Sequence, residues 1–119
     1  MLINTNSSEL EQVIDQNEIV FVDFWADWCA PCKQFATVYE QIAKKNPTVM
    51  FTKVDVAKEP ELAEAFQIRS IPHLMIFKQG IIIYSDSGSL PESALNELLS
   101  QAIAADITAI REAIDKGEN

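Results

Sequence analysis

The hydrophobic residues of this chain fall into two rhythms. Residues 19–25, 49–56, 73–78 and 81–86 are nearly continuous apolar or alternating runs, the signature of strands in a covered sheet, and residues 2–5 form a shorter edge candidate. Between them, apolar residues recur three and four apart. Leu10, Val13 and Ile14 mark a first helix to about Gln16. Phe35, Val38, Tyr39 and Ile42 mark a second from Pro31. Leu62, Ala63 and Phe66 mark a short third after Pro60, and Leu95, Leu98, Leu99, Ala102 and Ile103 a long fourth.

Punctuation agrees with this order. Ser8/Glu11 and Ser89/Glu92 have capping-box spacing. The second helix closes on Lys44-Lys45-Asn46-Pro47, cations at the negative end followed by a residue tolerant of left-handed backbone and a breaker. Gln79-Gly80 joins the last two strands as a tight hairpin. Strands separated by helices pair in parallel through right-handed crossovers, and the hairpin adds antiparallel strands. The expected fold is α/β, a mixed central sheet with helices on both faces. Ile103, Ile107, Ile110 and Ile114 share one helical face, so the last helix is expected to run on to a cation-plus-glycine end at Lys116-Gly117. A frayed acidic tail is the competing reading.

At 119 residues this is one domain with room for a core. Nine Lys and Arg against 18 Asp and Glu leave a net charge of −9. That balance argues against sequence-independent nucleic-acid binding and against adsorption to anionic membranes. The first eight residues carry neither the basic nor the apolar segment of a secretory signal, and no run is long enough to span a bilayer. A reducing, cytoplasmic setting is therefore expected.

In that setting the only two cysteines stand out, two residues apart in Trp28-Cys29-Ala30-Pro31-Cys32-Lys33. They lie where a strand hands over to a helix N-terminus, whose unpaired N–H groups favour thiolate, and Pro31 suits a first turn. A redox-active pair is the leading reading. A structural disulfide closing so short a loop would constrain the unfolded chain little, and zinc would find two thiolates and one distant histidine, His73. Asp23 is a lone carboxylate in the apolar central strand. Burial would raise its pKa toward that of a neutral-pH proton acceptor, unless it sits exposed at a sheet edge. Lys53, in the next strand, is either its charge partner or an exposed lysine. His73 fits a partly buried structural residue better than a base or ligand. Trp25 is expected in the core and Trp28 at the surface.

Taken jointly, Asp23–Lys33, Lys53-Val54-Asp55, Ile71-Pro72, Phe77-Lys78-Gln79-Gly80 and Gly88 resemble the thioredoxin family, with matching spacing from about Leu2 to Ala104. The resemblance implies the thioredoxin fold over 1–105; residues 106–119 lie beyond its usual end and are expected, from the isoleucine spacing, as a helical extension of the last helix. It implies Cys29 as exposed nucleophile, Cys32 as resolving thiol, Asp23 assisting proton transfer at Cys32, and Lys53 as its neighbour. It implies a cis Ile71–Pro72 bond, and a groove for substrate peptides formed by Trp28, Ala30, Pro31, Ile71, Pro72 and Gly88. Disulfide-bearing proteins would be the substrates, and no bound cofactor is implied, since an NADPH-dependent thioredoxin reductase would recycle the pair. Three positions depart from the family's habit: Ala30 for glycine, Thr37 for a helix-kinking proline, and His73 for threonine. Family members working as oxidases or isomerases usually place a histidine between the cysteines, which Ala30-Pro31 does not. A pure binding or chaperone module would have been marked by loss of a cysteine. Weak self-association through the C-terminal helix is the remaining expectation for partners.

Overall fold

A computed structural model describes residues 2–117. Five strands, β1 (Leu2–Asn4), β2 (Ile19–Trp25), β3 (Met50–Asp55), β4 (His73–Lys78) and β5 (Ile81–Ser87), form one sheet in the order β1-β3-β2-β4-β5. The helices are α1 (Leu10–Gln16), α2 (Ala30–Lys45), α3 (Pro60–Ala65), α4 (Glu92–Ala104) and α5 (Thr108–Asp115). β1, β3 and β2 run parallel, β4 is antiparallel to β2, and β5 is antiparallel to β4. The mixed sheet expected from the pattern is the one observed.

Alternation along the central strand sorts its side chains onto two cores. Phe21 joins Phe51 and Leu74 beneath α2 and α4, where Phe35, Tyr39, Ile42, Leu95 and Leu99 pack. Val20, Val22 and Phe24 join Val54, Met75 and Phe77 on the opposite face, with Leu10 of α1 and the partly buried Leu62 of α3. β2 is covered on both faces, which is why it reads as an unbroken apolar run. At the β4–β5 turn, Gln79 and Gly80 both take positive φ, +50° and +79°, the twist that suits a two-residue hairpin.

Four helix-end expectations change. The first helix begins at Leu10 without a Ser8/Glu11 capping box. The turn before it closes on Asn6 instead, whose Oδ1 accepts from Ser8 N and Glu9 N, each at 3.1 Å. No side chain caps α4 either; it starts just after Pro91, whose fixed φ of −70° sets the entry in place of the Ser89/Glu92 pair. Asn46 closes α2 with φ −131° rather than in left-handed geometry, its Nδ2 donating to Ile42 O at 2.8 Å.

The largest change is in the tail. The last helix does not run on: α4 stops at Ala104, Ala105 is extended, and α5 is a separate helix. The cause is Lys78. Its buried ammonium donates to the carbonyls of Ala102 (2.8 Å), Ile103 (2.9 Å) and Ala105 (2.6 Å), tying the end of α4 to the sheet. Asp106 Oδ1 then accepts from Thr108 N at 3.0 Å and starts the next turn. Ile107 is buried at the break, so the isoleucine stripe spans two helices. The expected end survives, with Gly117 at φ +76° after Lys116, and residues 118–119 of the expected extension lie outside the described residues.

Candidate active site

β2 ends at Trp25, and the chain turns through Cys29, whose N–H reaches Ala26 O at 3.2 Å. Cys29 is the N-cap of α2, in extended geometry at φ −97° and ψ 106°. Its Sγ accepts from the backbone N–H of Cys32 at 3.2 Å, so a sulfur takes the capping role usually held by a side-chain oxygen. Pro31 lies in the first turn, where its missing N–H leaves no bond unmade. Cys29 and Cys32 are joined as a disulfide, with Cα atoms 5.3 Å apart. A thiolate at this N-cap gains from both the Cys32 N–H and the positive end of the helix.

The exposed nucleophile expected at Cys29 is a covered sulfur in this oxidised form: Cys29 is 5% exposed and Cys32 2%. The covering segment is the Ile71-Pro72 loop, joined by a cis peptide bond as expected, with Ile71 O 3.7 Å from Cys29 Sγ. Gly88 N donates to Pro72 O at 2.8 Å and ties the loop to the end of β5. Gly88 has φ +119°, a conformation that a side chain rarely takes. Trp28 is on the surface, 74% exposed.

His73 has structural work: its Nε2 shares a hydrogen bond with Ser85 Oγ at 2.8 Å, and its ring stands edge-on to Phe24. Burial pulls its pKa down, against the opposing pull of Asp86. Among the described residues no three His, Cys, Asp or Glu side chains converge as metal ligands would.

A cleft of 760 Å³ opens beside the disulfide. Of the six residues expected to line a groove, the cleft takes Trp28 and Ile71; Ala30, Pro31, Pro72 and Gly88 lie outside its lining. The opposite wall is one that pattern reading missed: Pro60, Ala63 and Glu64 of α3, then Gln67, Ile68 and Arg69, with Val56 at the end of β3. Pro60 and the half-apolar α3 were visible in the sequence, but which face of so short a helix meets the cysteines was not.

Asp23, in the β2 strand that leads to the cysteines, is completely buried, and neither carboxylate oxygen has a hydrogen-bond partner. Burial lifts its pKa to about 7, with Lys53 holding it lower than burial alone would. Lys53 is Asp23's register partner on β3, but makes no ion pair with it; its Nζ stands 4.7 Å from the centroid of the Trp25 ring. Trp25 is therefore only partly buried, in neither core cluster, with its Nε1 buried and unpartnered. Tyr39, whose OH donates to Thr52 O at 2.9 Å, is held neutral by burial and by Asp23. A carboxyl with a pKa about 7 both takes and gives a proton near neutrality.

Comparison with known proteins matches this geometry. The thioredoxin family model matches residues 1–101. The chain is 44% identical over 112 residues to a putative thioredoxin 2 of Streptomyces coelicolor, covering 94% of this chain and 84% of that protein. It is 41% identical over 100 residues to a thioredoxin of Mycobacterium tuberculosis, covering 83% and 86%. Among solved structures, a Plasmodium falciparum thioredoxin superimposes with a TM-score of 0.77 at 38% identity, over 85% of this chain and 98% of that one. A thioredoxin variant of Halobacterium salinarum gives 0.81 at 30%, over 88% and 93%.

Proposed function

The chain belongs to the thioredoxin family and is a thiol–disulfide oxidoreductase that reduces protein disulfides, and we propose the residue roles and partners through which it does so. Cys29 is the nucleophile. Its thiolate attacks one sulfur of a substrate disulfide; the substrate S–S bond breaks, a mixed disulfide forms on Cys29, and the departing thiolate takes a proton from solvent. Cys32 then gives its proton to the Asp23 carboxylate and attacks Cys29 Sγ. The mixed disulfide breaks, the second substrate sulfur leaves as a thiolate and takes a proton from solvent, Asp23 later returns its own proton to solvent, and two electrons have passed from the cysteine pair to the substrate. Lys53 holds the Asp23 carboxyl down to a useful range. The observation that carries this reading is the Cys29 sulfur at the N-cap of α2, bonded to the Cys32 N–H, together with a buried carboxyl without a bond partner in β2, the strand that leads to it.

The substrate polypeptide would cross the disulfide between Trp28 and the Ile71-Pro72 loop, passing Ala30, Pro31 and Gly88, with the cleft toward α3 open to its side chains. The oxidised pair would be returned to dithiol by a thioredoxin reductase drawing on NADPH, so the protein carries electrons from that reductase to its substrates and holds no cofactor itself. A reducing, cytoplasmic compartment is the setting that drives the cycle this way; no helix among the described residues is long and apolar enough to cross a membrane. The catalytic unit is residues 1–105, with 106–119 appended, and the appended helix adds a second copy of the chain to the proposed partners.

Cys32→Ser tests the roles. With insulin as the disulfide substrate, the variant is expected to accumulate a mixed disulfide on Cys29, seen by peptide mapping, and to lose turnover. Absence of a substrate adduct on Cys29, or retained turnover, overturns the assignment.

A further inference from the structure

The cleft beside the disulfide is unevenly charged. Two ionisable side chains line it, Glu64 on α3 and Arg69 in the segment that follows, and both are exposed. They make no ion pair with one another, and among the described residues neither side chain has any other partner. The charged residues next to the lining in sequence are all acidic: Asp27 before Trp28, Asp55 before Val56, and Glu59 and Glu61 on either side of Pro60. Counting Lys58, the next cation along the chain, five carboxylates stand in and around the cleft against two cations. Asp55 Oδ1 accepts from Ala57 N at 2.9 Å and Glu59 Oε1 from Ser7 N at 2.7 Å, whereas the Glu64 carboxylate is left unused on the cleft wall. Around it the lining is apolar through Val56, Ala63 and Ile68, and Trp28 presents a ring that is 74% exposed.

We propose that this cleft selects among protein disulfides by a basic side chain, a Lys or Arg close to the substrate cysteine, with Glu64 as the residue that recognises it. The inference rests on Cys29 as the attacking sulfur beside the cleft, and it names the class of disulfide that the site prefers. The aliphatic stem lies on Val56, Ala63 and Ile68, and the cation reaches Glu64 past the face of Trp28. A long basic side chain suits such a wall, because its methylenes cover apolar surface while its head stays polar. A tryptophan face attracts a cation, and a carboxylate beside it adds a charge-assisted hydrogen bond.

Charge decides between the two possible occupants. An acidic substrate side chain would find Arg69, but among five carboxylates and on a chain that carries −9. A basic one meets the local excess and the overall field together. The two contributions are separable. The net charge favours a cation anywhere on a substrate, whereas the cleft, at 760 Å³, lies to one side of the disulfide and rewards a cation only near the cysteine and only on one side of it.

Stopped-flow oxidation of the reduced full chain by peptide disulfides tests this without a recycling enzyme. Each probe is the symmetric disulfide of an otherwise uncharged peptide with one cysteine. It carries Arg, Gln or Glu at one of the two positions before or after that cysteine, or Arg well away from it. At a near position on one side, Arg is expected to react about tenfold faster than Gln, and Glu more slowly than Gln. The distant Arg is expected to give a smaller gain that vanishes at about 0.5 M salt, where part of the near gain persists through the stem and ring contacts. Glu64→Gln is expected to cut the near Arg advantage about threefold, and Glu64→Lys to reverse the order of Arg and Glu. Rates that ignore the near residue, an Arg gain equal at every position, a Glu peptide that reacts fastest, or a preference unmoved in Glu64→Lys would each overturn the proposal while leaving the cysteine roles intact. No reaction with any peptide would overturn those roles with it.

Discussion

Asp23 on β2 and Lys78 on β4 are both charged residues buried in one sheet, in adjacent strands, and they are treated in opposite ways. Lys78 is satisfied on all three of its N–H bonds by backbone carbonyls. Asp23 has a hydrogen-bond partner for neither oxygen, and its pKa rises to about 7. A buried charge whose bonds are all made holds architecture together; one left unmade is free to change protonation state. The lysine ends a helix, and the aspartate lies in the strand that leads to the disulfide.

The comparison breaks most visibly at Asp23→Asn. Below pH about 4 both folded and unfolded Asp23 are protonated and the residue contributes no pH dependence. As pH rises from there to about 7 the unfolded chain ionises while the native chain keeps its proton, so wild-type stability falls over that window and is level above it. The total is on the order of 4 kcal/mol. Asp23→Asn removes this loss. The variant is expected to match wild type near pH 4 and to exceed it by about 4 kcal/mol at pH 8, measured by urea unfolding of the oxidised forms. Resolution of the mixed disulfide is expected to slow by about ten- to a hundredfold near neutrality. A stability difference that ignores pH would show that Asp23 ionises in the fold as it does in the unfolded chain.

Lys78→Met is the complementary break, with a smaller effect of the other sign. Three carbonyls lose their donor at the end of α4, and a loss of about 3 kcal/mol is expected. Because that loss comes from bonds unmade rather than from a proton held, it is expected to be the same at about pH 5 and about pH 8. Amide exchange at residues 105–117 is expected to accelerate before the rest of the chain, since Lys78 secures the entry to α5. Uniform exchange, with stability intact, would mean that the helix break is set by Ala105 and Asp106 alone.

The two residues also differ in how far the sequence revealed them. Asp23 was legible because a carboxylate in an unbroken apolar strand has few places to go. The cysteine pair, the succession of strands and helices and the hairpin were legible for the same reason: each is a local pattern with one good three-dimensional solution. Lys78 was read as the end of a strand and as part of a family motif but given no partner, because its partners lie 24 to 27 residues away and are backbone carbonyls, which carry no sequence signal. The unbroken isoleucine spacing beyond Ile103 therefore predicted one helix where a distant lysine makes two. The α3 wall of the cleft was hidden similarly, since a six-residue helix has too little periodicity to say which side faces the cysteines. Capping boxes misled because Asn6 and Pro91 met the same need at neighbouring positions.

Lys53→Met sharpens the comparison with the smallest effect, because it alters Asp23 without removing it. Lys53 pulls the Asp23 pKa down, so the variant is expected to hold its proton to higher pH. At about pH 5 Asp23 is neutral in the native protein and Lys53 has no anion to attract. The variant then loses only the stacking of its ammonium on Trp25, about 0.5–1 kcal/mol. At about pH 9 the native carboxylate is charged, its attraction to Lys53 is lost as well, and the destabilisation is expected to be larger. In single-turnover resolution of the mixed disulfide, the pH midpoint is expected to move upward relative to wild type, since a carboxylate is needed to accept the Cys32 proton. Equal destabilisation at both pH values, with the midpoint unmoved, would make Lys53 a companion of Trp25 alone. Asp23 would then owe its raised pKa to burial without an electrostatic counterweight, and the proton acceptor would be tuned by the strand that carries it and not by its neighbour.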